Sequence, residues 1–141
     1  MISVKFYEVI LKEVEKLMAE KKLTKIEKQE IIKDACELAK LLDSKKGIDL
    51  VLLDVEKLTP IADVFLIVSS ESFTHSKALE DYSMNLLEEK GYKRMNKANI
   101  FPENPWILLD YGPIIIHIFM KEARDYYELH KLWYDAEKIE F

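Results

Sequence analysis

The chain has 141 residues, of which 49% are hydrophobic and 33% are charged, and its formal net charge at pH 7 is -5. This length and balance are typical of one globular domain with a buried core, and they exclude an intrinsically disordered chain. The acidic balance also argues against a protein held mainly by phosphates, because such binding needs clustered Lys and Arg. We therefore expect no direct sequence-specific contact with nucleic acid.

The cysteine content and the hydropathy pattern favour a reducing, aqueous compartment. Cys36 is the single cysteine, so it can form neither an internal disulfide nor a CxxC metal pair. No apolar run approaches the roughly 20 residues that span a bilayer, and the N-terminus lacks the apolar segment of a signal peptide. These features predict a cytoplasmic protein without a membrane segment.

Two helices are predicted before the first strand. Residues 4–21 place apolar side chains at helical spacing, which predicts an amphipathic helix. A second helix is predicted from Thr24, because Thr24 and Glu27 have the spacing of a capping box. It is expected to end at Gly47, a residue that tolerates positive φ. The pattern divides the chain into an N-terminal helical extension, residues 1–23, and a domain, residues 24–141.

From residue 48 the pattern changes to short apolar runs rich in β-branched residues, which predict strands. The predicted strands are 48–55, 63–70, 92–95 (a short edge strand), 106–110 and 114–119. The predicted helices after residue 47 are 72–90, ended by Gly91, and 121–133. One mixed five-stranded sheet flanked by helices satisfies this order, so the fold class is α/β with an extra N-terminal amphipathic helix.

The chain carries no recognisable catalytic motif. Its three glycines, Gly47, Gly91 and Gly112, lie too far apart for a phosphate-binding loop. The three histidines are isolated in sequence, so neither a metal cluster nor a serine triad is indicated. His117 alternates with isoleucines on a predicted strand, which favours a structural or surface histidine over an acid–base role. We predict no catalytic residue, no metal site and no cofactor.

Three strand-end aspartates keep one catalytic hypothesis open. Asp54, Asp63 and Asp110 each sit at the end of an apolar run, where an α/β protein can gather carboxylates around a divalent metal. None of them forms the Asp-x-Asp pair that two-metal phosphoryl transfer draws from one strand. Strand-end aspartates also cap turns, and that interpretation is favoured.

Aromatic residues are concentrated in residues 92–141, which hold both tryptophans and five of the seven tyrosines. Aromatic side chains supply large contact area and are enriched in protein interfaces. In the closing helix, Arg124 and Glu128 are four residues apart, as are Glu122 and Tyr126, which predicts a charged and aromatic exposed face. The sequence therefore indicates a protein-binding surface rather than a reaction centre.

The stretch "LLDYGPIIIHIFMKEARDYYELHKLWYDA" closely resembles the closing signature of the ribosomal silencing factor family, the iojap-like proteins. The preceding segment "DLVLLDVEKLTPIADVFLIVSS" is similar to the first strand pair of that family. The resemblance covers about residues 31–136. It departs from the family at Pro113, which replaces the usual Asp, and in the loop Ser69–His75. The matching positions of the signature are Trp106, Asp110, Tyr111, Gly112, His117, Phe119, Glu122, Arg124, Tyr127, Leu129, Leu132, Trp133 and Asp135.

The resemblance implies a nucleotidyltransferase-like fold that lacks the catalytic carboxylates. It also implies binding to protein L14 (uL14) of the large ribosomal subunit, where the factor obstructs joining of the small subunit and represses translation. On this basis the predicted uL14-binding residues are Trp106, Asp110, Tyr111, His117, Glu122, Arg124, Tyr127 and Glu128. Phe119 and Trp133 are expected to pack inside the fold.

Two other functions remain open from the sequence. The first is a catalytic nucleotidyltransferase relative that uses the strand-end aspartates and a divalent metal. The second is an oligomeric adaptor, in which the first helix drives self-association into a homodimer. The first helix has no counterpart in the family signature.

Overall fold

The computed structural model describes residues 4–97, 101–127, 131 and 133–141, with the backbone alone for residues 4–7, 17–26 and 127. Contacts divide the chain into two units, residues 1–30 and residues 31–141. In chain order the helices and strands are α1 (Val4–Ser44), β1 (Ile48–Asp54), β2 (Val64–Ser70), α2 (Phe73–Glu89), β3 (Trp106–Asp110), β4 (Ile114–Met120), α3 (Lys121–Tyr127) and β5 (Glu137–Lys138).

The two helices predicted before the first strand are one continuous helix, α1, so the predicted start at Thr24 is wrong. No glycine or proline occurs between Val4 and Ser44, and most residues in this range are strong helix formers. A threonine costs only a few tenths of a kcal/mol inside a helix, roughly, so the capping-box spacing does not interrupt the backbone ladder. The division into residues 1–23 and 24–141 stays a prediction.

The sheet has the strand order β3-β4-β2-β1-β5. β2 and β4 are parallel, whereas the pairs β1–β2, β3–β4 and β1–β5 are antiparallel. The predicted mixed five-stranded sheet is therefore confirmed, but its fifth strand was assigned wrongly. Residues 92–95 have no strand backbone, and the two residues of β5 pair instead with Leu53 and Asp54.

Side chains explain why residues 92–95 do not pair as a strand. Arg94 and Asn96 donate from Nη2 and Nδ2 to the carbonyl oxygen of Leu108, at 3.2 and 2.8 Å. The backbone N–H of Asp110 donates to Asn96 Oδ1 at 2.9 Å. These bonds satisfy edge groups of β3 that would otherwise be open to another strand. Arg94 is in turn held by Glu80, which is fully buried on α2.

The prediction for the end of α2 is confirmed, whereas the prediction for the end of α1 is corrected. Gly91 ends α2 with φ +95°, as predicted, and its N–H donates to the carbonyl of Glu88. At the end of α1, however, the positive φ of +66° belongs to Lys46. Gly47 is needed for space, because an added Cβ would lie 2.7 Å from Val68 Cγ2.

Both faces of the sheet are covered, which accounts for the continuous apolar runs of the strands. Every residue of β2 is buried. On the first face, apolar residues between Ile31 and Leu42 of α1 and between Leu79 and Leu87 of α2 pack over alternate strand residues such as Leu66 and Ile116. On the second face, α3 and residues 133–136 pack over the remaining strand residues.

The closing helix is confirmed over Lys121–Tyr127. Trp133 lies in a turn, so the prediction that the helix reaches this residue is wrong. Glu128, Leu129, His130 and Leu132 lie outside the described residues. In the part of the chain that the structure describes, no helix combines the length and the apolar content needed to cross a membrane.

Candidate functional site

The residues predicted to bind a partner lie at both ends of β3 and on α3. Trp106 begins β3 and Asp110 ends it, so their Cα atoms are about 13 Å apart. Trp106 pairs with Phe119, the residue just before the end of β4, and α3 follows β4 without a loop. Trp106 and α3 are therefore close together, whereas Asp110 and Tyr111 lie at the opposite end of the sheet.

An aromatic cluster occupies the second face of the sheet beside α3. Trp106 stacks on Phe119 with ring centroids 5.0 Å apart, and Phe65 meets Trp133 edge-on at 4.8 Å. His117 lies within this group, with its ring centroid 5.0 Å from that of Phe65. We call this group the aromatic cluster; its members are Phe65, Trp106, His117, Phe119 and Trp133. Phe119 is fully buried, which confirms the expectation that it packs inside the fold.

The strand pattern left open a structural or a surface histidine, and the structure shows His117 buried in a structural position. It is 5% exposed, and its Nδ1 accepts a 3.1 Å hydrogen bond from the indole N–H of Trp106. Burial lowers the pKa of His117 to about 4, so the ring is neutral at pH 7 and its proton is on Nε2. Among the described residues Nε2 has no hydrogen-bond partner. The side chain thus holds the Trp106 indole in place and is not accessible to a partner.

Asp110 and Tyr111 form the turn between β3 and β4. Asp110 Oδ1 accepts from the backbone N–H of Gly112 at 2.9 Å, and Gly112 has φ +81°. The Tyr111 ring is 2% exposed and packs on the first face of the sheet. Burial raises the pKa of the Tyr111 phenol to about 12, and the nearby carboxylate of Glu88 acts in the same direction. Both residues hold the hairpin in shape.

The strand-end aspartates lie at the same end of the sheet, as the strand directions require. Asp54 Oδ1 accepts from the N–H of Glu56 at 3.2 Å, so Asp54 caps a turn as Asp110 does. The backbone N–H of Asp63 donates to the carbonyl of Pro113 at 2.9 Å. Over the described ranges, no three His, Cys, Asp or Glu side chains are grouped closely enough to bind a metal ion.

Helix α3 presents two of the predicted residues in different ways. Glu122 is exposed, whereas Arg124 is half-buried and donates from Nη1 to Ser69 Oγ on β2 at 2.9 Å. Burial lowers the pKa of Arg124, while Asp49 and Asp125 act in the opposite direction. Only the backbone of Tyr127 is described, and Glu128 lies outside the described residues.

Three residues of this region were not among the predicted uL14-binding residues, although Tyr126 was expected on the exposed face of the closing helix. Tyr126 and Tyr134 are 82% and 84% exposed, and Ser69 binds Arg124. The alternation of β2 carries a signal for Ser69, because Phe65, Ile67 and Ser69 share one face of the strand. The exposure of Tyr134 has no such signal, since this residue lies in a turn beyond the predicted helix.

Comparisons with known proteins point to one family. The sequence pattern of the family described as "Ribosomal silencing factor during starvation" matches residues 28–141. The ribosomal silencing factor RsfS of Bacillus subtilis is 36% identical over 94 residues, which is 67% of this chain and 79% of that protein. The chloroplastic protein Iojap of Arabidopsis thaliana is 32% identical over 106 residues, or 75% of this chain and 44% of that protein.

A solved structure agrees with this result. The crystal structure of a protein from Chromobacterium violaceum superposes with a TM-score of 0.64 at 31% identity, covering 80% of this chain and 90% of the other. RsfS from the same organism is 32% identical over 108 residues, which is 77% of this chain and 85% of that protein. The resemblance found in the C-terminal signature is thereby confirmed. On the strength of a match over more than half of its length, the chain belongs to the ribosomal silencing factor family.

Proposed function

We propose that this protein binds protein uL14 of the large ribosomal subunit and represses translation by blocking the small subunit sterically. Its relatives are named ribosomal silencing factors, which describes a regulatory rather than a catalytic role. The observation that supports a docking role most directly is the exposed outer surface of α3, built on the aromatic cluster. We call this surface the α3 surface; it consists of Glu122 and Tyr126.

The α3 surface is held firmly by buried contacts. Ala123 packs on the second face of the sheet, and Arg124 ties the helix to Ser69 of β2. At the start of the helix, the N–H of Met120 donates to the carbonyl of Pro105 at 2.9 Å, next to Trp106. A preorganised surface loses little conformational entropy on binding. Most of the free energy gained by burying an exposed tyrosine on such a helix therefore remains as binding affinity.

The other predicted residues have supporting roles in this proposal. Trp106 and His117 position α3 through the aromatic cluster, and Asp110 and Tyr111 maintain the hairpin. Arg124 fixes α3 on the sheet. Tyr127 and Glu128 continue the same helix in sequence, and their contribution to uL14 binding stays a prediction.

The net charge and the size of the protein are consistent with steric blocking, which needs no catalytic turnover. An acidic protein is repelled by the phosphates of ribosomal RNA, so a protein-directed surface provides specific attachment. Once attached, a domain of this size hinders the approach of the small subunit by excluded volume alone. No cofactor or catalytic step is required, and the expected site of action is the cytoplasm.

The test is sedimentation of the tagged protein with separated large subunits. The double variant Glu122→Lys and Tyr126→Ala is expected to bind at least about tenfold more weakly than the wild type, because it reverses one charge and removes an aromatic contact at the centre of the docking surface. Both positions are exposed, so the melting temperature should stay within a few degrees of the wild-type value.

The matched control changes the same residue types on α2, which packs on the opposite face of the sheet. Glu89→Lys with Tyr82→Ala should leave binding unchanged. Equal binding by the α3 double variant and the wild type would contradict the role of the α3 surface. Binding to large subunits but not to purified uL14 would assign the contact to another component. Unhindered joining of the small subunit at saturating protein would reject the blocking mechanism.

A further inference from the structure

A pocket of about 350 Å³ opens on the second face of the sheet. Val51, Leu53 and Ile67 form its apolar floor, and the segment from Trp133 to Lys138 supplies one wall. Arg124 also lines it. This volume lies at the small end of the range for pockets that bind organic ligands, and an apolar lining with few polar groups is typical of them.

The strand register shows where the two cations of the pocket lie. Arg124 donates to Ser69 of β2 at one end. Lys138 of β5 is directly opposite Leu53 of β1, which is in turn paired with Phe65 of β2. Phe65 and Ser69 are four residues apart, or about 13 Å along the strand. The pocket therefore has an apolar floor between a half-buried guanidinium and an exposed ammonium group.

The guanidinium of Arg124 is partly desolvated, and among the described residues it has no carboxylate at ion-pair distance. Its one hydrogen bond within the described residues goes to a neutral hydroxyl, that of Ser69. Asp49 and Asp125 act on it only through longer-range charge interactions, and burial has the larger effect on its pKa. A cation buried without an ion pair is costly in free energy. An anion that accepts hydrogen bonds from the guanidinium would offset that cost.

We propose that this pocket binds a small anion with a planar aromatic body, with its phosphate or carboxylate on Arg124 and its ring over the floor. The rings of Trp133 and Tyr134 at the wall favour an aromatic rather than an aliphatic body. The limited volume favours a molecule the size of a nucleoside monophosphate over a segment of another protein. Lys138 adds positive charge at the far end. The proposal does not rest on uL14 binding, although Arg124 also fixes α3, and its test uses no ribosomes.

The 141-residue protein is titrated with two probes. Adenosine 5′-monophosphate carries a phosphate on a nucleoside, and 2-naphthoate carries a carboxylate on an aromatic ring. Affinity is measured by calorimetry, and the two indole N–H signals are followed by NMR. At least one probe is expected to bind saturably and to shift the Trp133 signal. Binding by the nucleotide alone or by the naphthoate alone identifies the ligand class as a nucleotide or an aryl carboxylate. Adenosine and inorganic phosphate, given separately, should each bind at least about tenfold more weakly than the nucleotide if the nucleotide is the ligand.

Two variants test the assignment to this pocket. Arg124→Gln should weaken binding at least about tenfold by removing the charge-assisted hydrogen bonds. Ala136→Leu should weaken it by filling the pocket, which keeps the proposal testable if the first variant unfolds. Lys93→Gln, at an exposed position outside the pocket, is the matched charge control and should bind normally. Failure of both probes to bind, or undiminished binding by folded Arg124→Gln and Ala136→Leu proteins, would overturn the proposal.

Discussion

The hydrogen bond between Trp106 and His117 joins the start of β3 to the interior of the sheet. It requires a neutral imidazole with a lone pair on Nδ1, because the indole N–H can only donate. Protonation of Nδ1 would remove this acceptor and place a charge among Phe65, Phe119 and Trp106. The position of the Trp106 indole, and through it the base of α3, therefore depends on His117 remaining uncharged.

This dependence predicts a loss of stability in mild acid. An unfolded histidine takes up a proton near pH 6.5, whereas folded His117 does so only at about pH 4. The unfolded state thus binds more protons between these two pH values. The contribution of neutral His117 to the free energy of unfolding is therefore fully present above pH 6.5 and falls as the pH decreases towards 4. The expected loss is on the order of 3 kcal/mol, measured by urea unfolding at a series of pH values.

The variant His117→Asn separates titration from packing in this experiment. Its amide oxygen can accept from the Trp106 indole, and it has no charge to gain. The difference in unfolding free energy between wild type and variant should therefore shrink or reverse from pH 7 to pH 4. The control His75→Gln, a change on α2, should keep the wild-type loss. Parallel pH profiles for wild type and His117→Asn would contradict the assignment.

Among the helices and strands, the end of α1 depends on two adjacent residues with different roles. The N–H of Gly47 donates to the carbonyl of Leu42 at 2.9 Å, and the N–H of Lys46 donates to that of Asp43 at 3.2 Å. This pattern closes the helix with Lys46 in the left-handed conformation. The chain then passes close to Val68 of β2, and only a residue without a Cβ fits there.

Substitutions at these two positions should have opposite effects. Gly47→Ala is expected to destabilise the protein by about 1–3 kcal/mol, because its Cβ would overlap Val68 and the carbonyl of Leu42. Lys46→Gly should leave stability unchanged or raise it by up to about 1 kcal/mol, since glycine adopts positive φ without strain. Chemical denaturation of both variants and the wild type measures these changes in the free energy of unfolding. Tolerance of Gly47→Ala together with destabilisation by Lys46→Gly would reverse the two roles.

For the molecule as a whole, the core and the candidate surfaces fall within residues 31–141. Ala35, Leu38, Ala39 and Leu42 of α1 are fully buried in that unit, and the family match begins at residue 28. Residues 1–30 form a separate unit, in which Val9, Ile10, Leu11 and Val14 are 45–57% exposed. Residues 1–23 are therefore proposed to be an extension that the silencing domain does not need.

A variant lacking residues 1–23 tests this division. It is expected to unfold at the same urea concentration as the full chain, within error, and to bind large subunits within about twofold, because it retains every residue that the structure describes as buried. Light scattering of both proteins would show whether the first helix drives self-association. If it does, the shortened protein should contain fewer subunits per particle than the full chain. Loss of large-subunit binding in a folded shortened protein would contradict the proposed division.

The sequence by itself determined the features that depend on neighbouring residues. Apolar runs predicted four of the five strands, the predicted helix 72–90 with its stop at Gly91 agrees with α2, and the C-terminal signature identified the family. Such features are local, since periodicity, caps and turns are set by residues close in sequence. The outcome at Asp54 and Asp110 follows the same rule, because each caps a turn two residues away.

Only the tertiary structure decided which segments pair and which side chains are buried. β5 is too short to have a periodic pattern, and it is a strand only because β1 offers an open edge. Residues 92–95 have a strand-like composition, yet Arg94 and Asn96 use their side chains to bind β3. Tyr111 and His117 were predicted at a surface, but residues distant in sequence cover them. Pairing and burial depend on long-range contacts, which local pattern does not encode.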